Sequence, residues 1–128
     1  MEPKVRVLIA DDNQRTRRAL RAILHTSNEL VVIGEASNGQ ELLDLMQVDE
    51  PDVVVIDGRM PCMAGIEVAQ RIKSDWPTVK IIMLSMHAGY QKKALEAGVD
   101  FFIVKGTSAD RLLEVVIEYG RQGSDRVH

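Results

Sequence analysis

Val53, Val54, Val55 and Ile56 form an unbroken β-branched run that ends on one carboxylate, Asp57. A run with no polar face fits a strand covered on both sides, as in the middle of a parallel sheet. Gly58 follows at once, and Met60-Pro61 breaks the chain soon after. A central strand delivers Asp57 to the carboxyl edge of a sheet, where open α/β sheets bind ligands. Taken alone, Asp57 would be read as the first residue of a turn. The ends of the other strands decide against that.

The chain alternates strand and helix five times. Val5 to Ala10 is the first expected strand, and it runs into Asp11-Asp12-Asn13. A helix follows from Gln14 to about Thr26, with Ala19, Leu20, Ile23 and Leu24 on one face. Asp12 or Asn13 is its N-cap. Leu30 to Glu35 is the second strand, and Ser37 with Gln40 forms a capping box for a helix reaching about Val48. Asp52 to Ile56 is the third strand. Its helix spans Gly65 to about Ser74, turns Ile66, Ala69 and Ile72 inward, and is closed by Trp76-Pro77. Val79 to Leu84 is the fourth strand, ending at Ser85. A short helical piece from Tyr90 to Ala97 stops at Gly98. Phe101 to Val104 is the fifth strand, ending at Lys105. Thr107 and Asp110 cap a last helix carrying Leu112, Leu113, Val116 and Ile117, and a polar, frayed tail is expected from Gly120. Such alternation implies a doubly wound α/β fold: a five-stranded parallel sheet with right-handed crossovers and helices on both faces.

Composition narrows the function classes. At 128 residues the chain is one domain, and 45% hydrophobic with 27% charged residues excludes a disordered chain. A net charge of -3 offers no global basic field, so direct nucleic-acid binding by this domain is not expected. The single Cys62 cannot form an intramolecular disulfide and fits a reducing compartment. Met1 leads through Glu2-Pro3-Lys4 into a strand without a signal peptide, and no apolar run approaches the roughly 20 residues of a membrane span. A soluble, cytoplasmic domain with no membrane contact is expected.

The strand ends carry Asp11 and Asp12, then Asp57, Ser85 and Lys105. The second strand lacks such a group and should lie at an edge. Three neighbouring carboxylates repel and raise one another's pKa unless a cation binds among them. Oxygen donors favour Mg²⁺, which takes one or two carboxylates and a phosphate oxygen. A carboxylate also attacks phosphoryl groups to form an acyl phosphate. The metal on one side and the Lys105 ammonium on the other would compensate the charge, with the Ser85 hydroxyl donating a further hydrogen bond. Singly, the acid pair is a helix cap, Ser85 a turn residue and Lys105 a solvated cation. Four such coincidences at four strand ends are improbable.

These residues resemble the receiver domain of bacterial two-component response regulators. The resemblance rests on VLIADDN, VVVIDGRMPCMAGIE, IIMLS and ALEAGVDFFIVKG, and covers about residues 4 to 120. It implies a flavodoxin-like (CheY-like) fold with strand order 2-1-3-4-5, a receiver unit over 1–122, and 123–128 as a tail or the start of a linker. It further implies that Asp57 accepts phosphate from a phosphohistidine of a sensor histidine kinase or phosphotransfer domain. Asp11, Asp12, Asp57 and the backbone carbonyl of Arg59 would hold Mg²⁺. Ser85 matches the switch hydroxyl, Phe102 the switch aromatic and Lys105 the phosphate-contacting lysine. KGTSADRLLEVV is similar to receivers that precede a LuxR-type helix-turn-helix, which implies transcriptional output and a phosphorylation-dependent homodimer.

Two departures bear on output. Phe102 has no hydroxyl where many relatives carry Tyr, and the stretch from Ser85 to Gly98 spans 13 positions, fewer than is usual in the family. Rival readings fit less well. A haloacid-dehalogenase-type phosphatase needs a second acid where Arg59 stands. A flavodoxin needs a phosphate-cradling loop where Asp11-Asp12 stand, and a non-phosphorylated pseudo-receiver has usually lost an acid or the lysine. His87, two positions after Ser85, is a surface-loop residue on this reading. Cys62 and Met60, Met63, Met83 and Met86 are packing or loop residues. Arg15, Arg17, Arg18 and Arg21 make the first helix basic beside the acidic rim, and Arg15 and Arg18 are candidates for docking an acidic patch on the kinase.

Overall fold

The computed structural model describes residues 3–58 and 65–124. Within them strands and helices alternate as β1 (Val5–Ala10), α1 (Gln14–Leu24), β2 (Leu30–Ala36), α2 (Gly39–Val48), β3 (Val53–Asp57), α3 (Gly65–Asp75), β4 (Lys80–Ser85), α4 (Gln91–Glu96), β5 (Phe101–Val104) and α5 (Ala109–Ser124), with a 3₁₀ turn at Ala88–Tyr90 leading into α4. All strand pairs are parallel, in the order β2-β1-β3-β4-β5. The expected flavodoxin-like winding is therefore present, with β2 at one edge.

The side-chain period of two divides the strands between two cores. Leu8, Val54, Ile56, Ile81, Met83 and Phe102 face α2, α3 and α4, against Leu42, Met46, Val68, Ile72 and Ala94. Val5, Val7, Ile9, Val53, Val55 and Ile82 face α1 and α5, against Leu20, Leu24, Leu112, Val115 and Val116. The β3 run is buried over its whole length, including Asp57. β1 and β3 are adjacent, and the chain leaves them in opposite directions. Their carboxyl ends flank the crevice where open α/β sheets bind ligands.

Asn13, one of the two expected caps, caps α1, its side chain accepting from the Thr16 N–H at 3.1 Å. Several other details differ from the sequence expectation. The first helix ends at Leu24 rather than near Thr26. Ala19 is exposed rather than inward. The cap of α2 is Asn38, not Ser37: Asn38 accepts from the Glu41 N–H at 2.9 Å. Glu41 reaches back to accept from the Ser37 N–H at 2.7 Å, and Gln40 donates instead to Asp44. Likewise Ser108, not Thr107, accepts from the Arg111 N–H ahead of α5, while the Thr107 hydroxyl donates to the Val104 carbonyl. No tail begins at Gly120, because α5 continues to Ser124. Gly120 is buried, and a Cβ there would lie 2.2 Å from Val5 Cγ1. The glycine lets α5 lie close on β1, and Arg121 ties the helix to Glu29 at 3.1 Å.

The segment after β4 is abbreviated, as its length predicts. α4 has 6 residues, Ala94 its one buried side chain among the described residues, with Tyr90 and Leu95 exposed. Gly98, at φ 106, stops it. So short a helix with so narrow a buried face is marginal. Amide hydrogen exchange of the unphosphorylated protein should show α4 opening well before α3. Equal protection of the two helices would show that the short helix is held as firmly as a long one.

Candidate functional site

Asp11 sits one residue past the end of β1, where its N–H donates to the Ala36 carbonyl at 3.1 Å. The residue is 2% exposed, against 7% for Asp57 at the end of β3. Asp12 is exposed at the mouth. Each of the three offers a carboxylate oxygen, and these oxygens lie within 4.8 Å of one another. The Lys105 ammonium, carried by the chain leaving β5, stands 3.5 Å from Asp57 Oδ2 and 3.7 Å from Asp11 Oδ2. Both distances exceed those of a direct hydrogen bond, so the lysine balances two carboxylates without being committed to either. A cavity of about 230 Å³ opens over the group, with Asn13, Thr16 and Met86 completing its walls.

Electrostatics bear out the crowding. Burial pushes the Asp11 carboxyl above its ordinary value of 3.8; the hydrogen bond from the Asn13 N–H pulls it back, Asp57 pushes it up, Lys105 lowers it, and Asp12 adds a last upward push. The site has more negative charge than Lys105 offsets. An all-oxygen donor set of this kind suits a small, hard divalent cation. Bound there, such an ion would supply the missing positive charge.

Ser85 closes β4 and is fully buried. Its hydroxyl accepts from the His87 N–H at 3.1 Å and donates to the His87 carbonyl at 3.4 Å. It lies beside Gly58, where a Cβ would come within 3.8 Å of Ser85 Cβ. Phe102 is buried among the residues packed under α4. Its ring therefore already points inward here. The structure thus gathers Asp11, Asp12, Asp57 and Lys105 in one pocket and keeps Ser85 beside it, turned toward its own loop. Arg59, Met60, Cys62 and Met63 lie outside the described residues. Sequence reading passed over Thr16 and Met86 as pocket walls. Met86 follows Ser85 directly, which was the available signal, and Thr16 is the residue whose N–H the α1 cap binds.

The basic face of α1 also divides. Arg17 and Arg21 both pair with Glu35 on β2, whereas Arg15 and Arg18 are exposed.

Comparison with known proteins agrees with this fold. The family model described as the response regulator receiver domain matches residues 7–117. The response regulator protein VraR of Staphylococcus saprophyticus is 31% identical over 114 residues, 88% of this chain and 54% of that protein. The transcriptional regulatory protein LnrK of Bacillus subtilis is 36% identical over 115 residues, 88% of this chain and 52% of that protein. The signal receiver domain of NarL from Mycobacterium tuberculosis superposes with a TM-score of 0.88 at 30% identity, covering 94% of this chain and 98% of that one. A LuxR-family DNA-binding response regulator from Staphylococcus aureus gives a TM-score of 0.84 at 26% identity, covering 91% of this chain and 98% of that one. The chain belongs to the response regulator receiver family of two-component signalling. It spans about half the length of the curated relatives it matches.

The raised Asp11 pKa sets a pH dependence. The folded protein holds this proton more tightly than the unfolded chain does. Its stabilising contribution is full below the ordinary value of 3.8 and is lost as pH rises through the elevated folded pKa. Once ionised, the crowded carboxylate is a burden on the metal-free fold. Asp11→Asn keeps an acceptor for the Asn13 N–H and removes the charge. It should raise the metal-free Tm at pH 7 by about 2–5 °C and flatten the fall in stability above pH 4. A Tm below wild type at pH 7 would show that Lys105 more than offsets the repulsion.

Proposed function

We propose that this domain is a phosphoryl-accepting switch. Asp57 receives phosphate from a phosphohistidine of a sensor histidine kinase or phosphotransfer domain, and the changed domain controls an output. The observation that carries the reading is the convergence of Asp11, Asp12 and Asp57 with Lys105 at one sheet edge. An Asp57 carboxylate oxygen attacks phosphorus, the P–N bond of the donor breaks, and the imidazole leaves with the electron pair and takes up a proton. Asp11, Asp12 and Asp57 would hold Mg²⁺, whose charge offsets that of the carboxylates and the phosphoryl group. Lys105, poised between two carboxylates, turns to a phosphoryl oxygen, a partner that exists only in the modified state. Ser85 releases the His87 backbone and donates to another oxygen, and Phe102 fills the space this vacates. Water attack on the acyl phosphate later restores Asp57, so the domain assists its own loading and reset.

Transcription through a DNA-binding domain is the output this reading favours, supported by the names of LnrK and of the LuxR-family neighbour. A phosphorylation-dependent homodimer and a cytoplasmic site of action belong to the same reading. Among the described residues no helix is long and apolar enough to cross a membrane. For the kinase, Arg15 and Arg18 are exposed on α1, whose Thr16, Ala19, Leu20 and Ile23 line a mostly apolar groove of about 150 Å³ facing the start of the β5–α5 connection.

Acetyl phosphate with Mg²⁺, followed by intact mass, should add one phosphoryl group to the wild-type protein and none to Asp57→Asn. Continued labelling of that variant would move the acceptor to Asp11 or Asp12. Reversing charge at Arg15 and Arg18 together should slow transfer from a phosphorylated histidine domain about tenfold or more while leaving acetyl phosphate labelling unchanged. Equal slowing with both donors would remove these arginines from docking.

A further inference from the structure

The β2 edge bears no group that enters the acidic pocket, yet it reaches the pocket at one remove. Arg17 Nη1 donates to the Asp11 backbone carbonyl at 2.7 Å. The Arg17 Nε lies 3.6 Å from Glu35 Oε1, and Arg21 Nη1 closes on the other oxygen of the same carboxylate. The three side chains form a chain from β2 through α1 to the end of β1. Arg17 and Glu35 are largely shielded, their side chains 17% and 24% exposed. This is a drier setting than that of a surface pair.

We infer that Arg17, ion-paired with Glu35, is a positioning residue that fixes the Asp11–Asp12 peptide and so aims both carboxylates at the metal. The reason lies in peptide geometry. The Asp11 carbonyl belongs to the planar unit that joins Asp11 to Asp12. Fixing that oxygen fixes the plane, and with it the directions in which the two side chains leave the backbone. The other grips on Asp11 do not do this. Its N–H is held by Ala36, and its carboxylate by the Asn13 N–H. Without Arg17 the carbonyl end of the unit is free to tilt.

Glu35 adds an electrostatic function. A guanidinium next to three carboxylates would compete with a cation for them. Paired with Glu35, which it shares with Arg21, Arg17 brings a directed hydrogen bond to the pocket with part of its charge offset. The fork of Arg suits this double duty, one nitrogen to the carboxylate and another to the carbonyl, where a lysine has a single point of contact. Arg21 shares Glu35 and has no contact with Asp11 among the described residues, so it serves as the internal control.

The inference rests on the reading that the acidic group holds Mg²⁺, and the test separates the two. Mg²⁺ affinity of the unphosphorylated full chain is measured by calorimetry for wild type, Arg17→Gln and Arg21→Gln, with Tm recorded for each. Removing groups that orient metal ligands typically costs about 10- to 100-fold in affinity. Arg17→Gln should show a loss of about tenfold, at the low end because it acts through the backbone. Arg21→Gln should stay within about twofold of wild type. Acetyl phosphate labelling of Arg17→Gln should need more Mg²⁺ for half its maximal rate, yet reach the wild-type rate at saturation. A loosened fold would not produce that split. If Arg17→Gln folds poorly, Glu35→Gln makes the same test with the helix intact, and reduced Mg²⁺ affinity is again expected. Unchanged affinity in the variant tested overturns the inference, as does equal weakening by Arg17→Gln and Arg21→Gln. A wild-type protein that binds no Mg²⁺ overturns the metal reading, and the inference with it.

Discussion

Lys105 faces two carboxylates at nearly equal distance, and much of the structure serves to keep that arrangement under tension. Asp11 and Asp57 are both almost sealed from water. Burial and mutual repulsion raise the Asp11 pKa. One ammonium at 3.5 and 3.7 Å relieves this only in part. The pocket is therefore predisposed to take up positive charge, and whatever brings it is held by groups already in place. An ion pair that joined Lys105 to one acid by short hydrogen bonds would be more stable and less responsive.

Holding like charges together requires a frame that does not yield. β3 supplies it: Val53 to Ile56 are wholly buried, with helices covering both faces. Its neighbours β1 and β4 pair with it in continuous register. Because every strand is parallel, every strand end lies on one side of the sheet. Residues 11, 57, 85 and 105 meet there although the chain separates them widely. The close approach of α3 to this edge follows from Gly65, where a Cβ would lie 2.8 Å from Gly58 Cα, immediately after Asp57.

The strands and the pocket acids were legible because each depends on a local pattern. A fully apolar run ending on one polar residue gives both the strand and the side of the sheet its last residue reaches. The caps were legible as regions but not as residues. Ser37 and Asn38 both cap well, as do Thr107 and Ser108, and the choice falls to whichever backbone is extended at the helix entry. Gly120 misled because glycine usually ends helices. Here it is a contact residue, and the contact, Val5, lies at the other end of the chain. Glu35 and Arg17 were read as a strand end without function and as part of a basic face. Their pairing depends on how far α1 tilts toward β2, which no local pattern records.

The two faces of the sheet differ in how readily they can move, and this gives the proposed switch a direction. On one face α5 lies along β1 through Gly120, with Leu112, Val115 and Val116 buried beneath it. Rearranging that face would break many close contacts at once. On the other, the Ser85 hydroxyl is occupied by the backbone of His87, the residue that leads into the 3₁₀ turn and the six-residue α4. A phosphoryl group on Asp57 that draws the hydroxyl away would free the His87 N–H and carbonyl together. The element next to them is anchored chiefly by Ala94, with Ala97 and Val99 just beyond. Displacing a weakly anchored helix requires less energy than shifting α5. The change should therefore spread through the His87 loop into α4, a region where Met86, Tyr90 and Leu95 already face solvent.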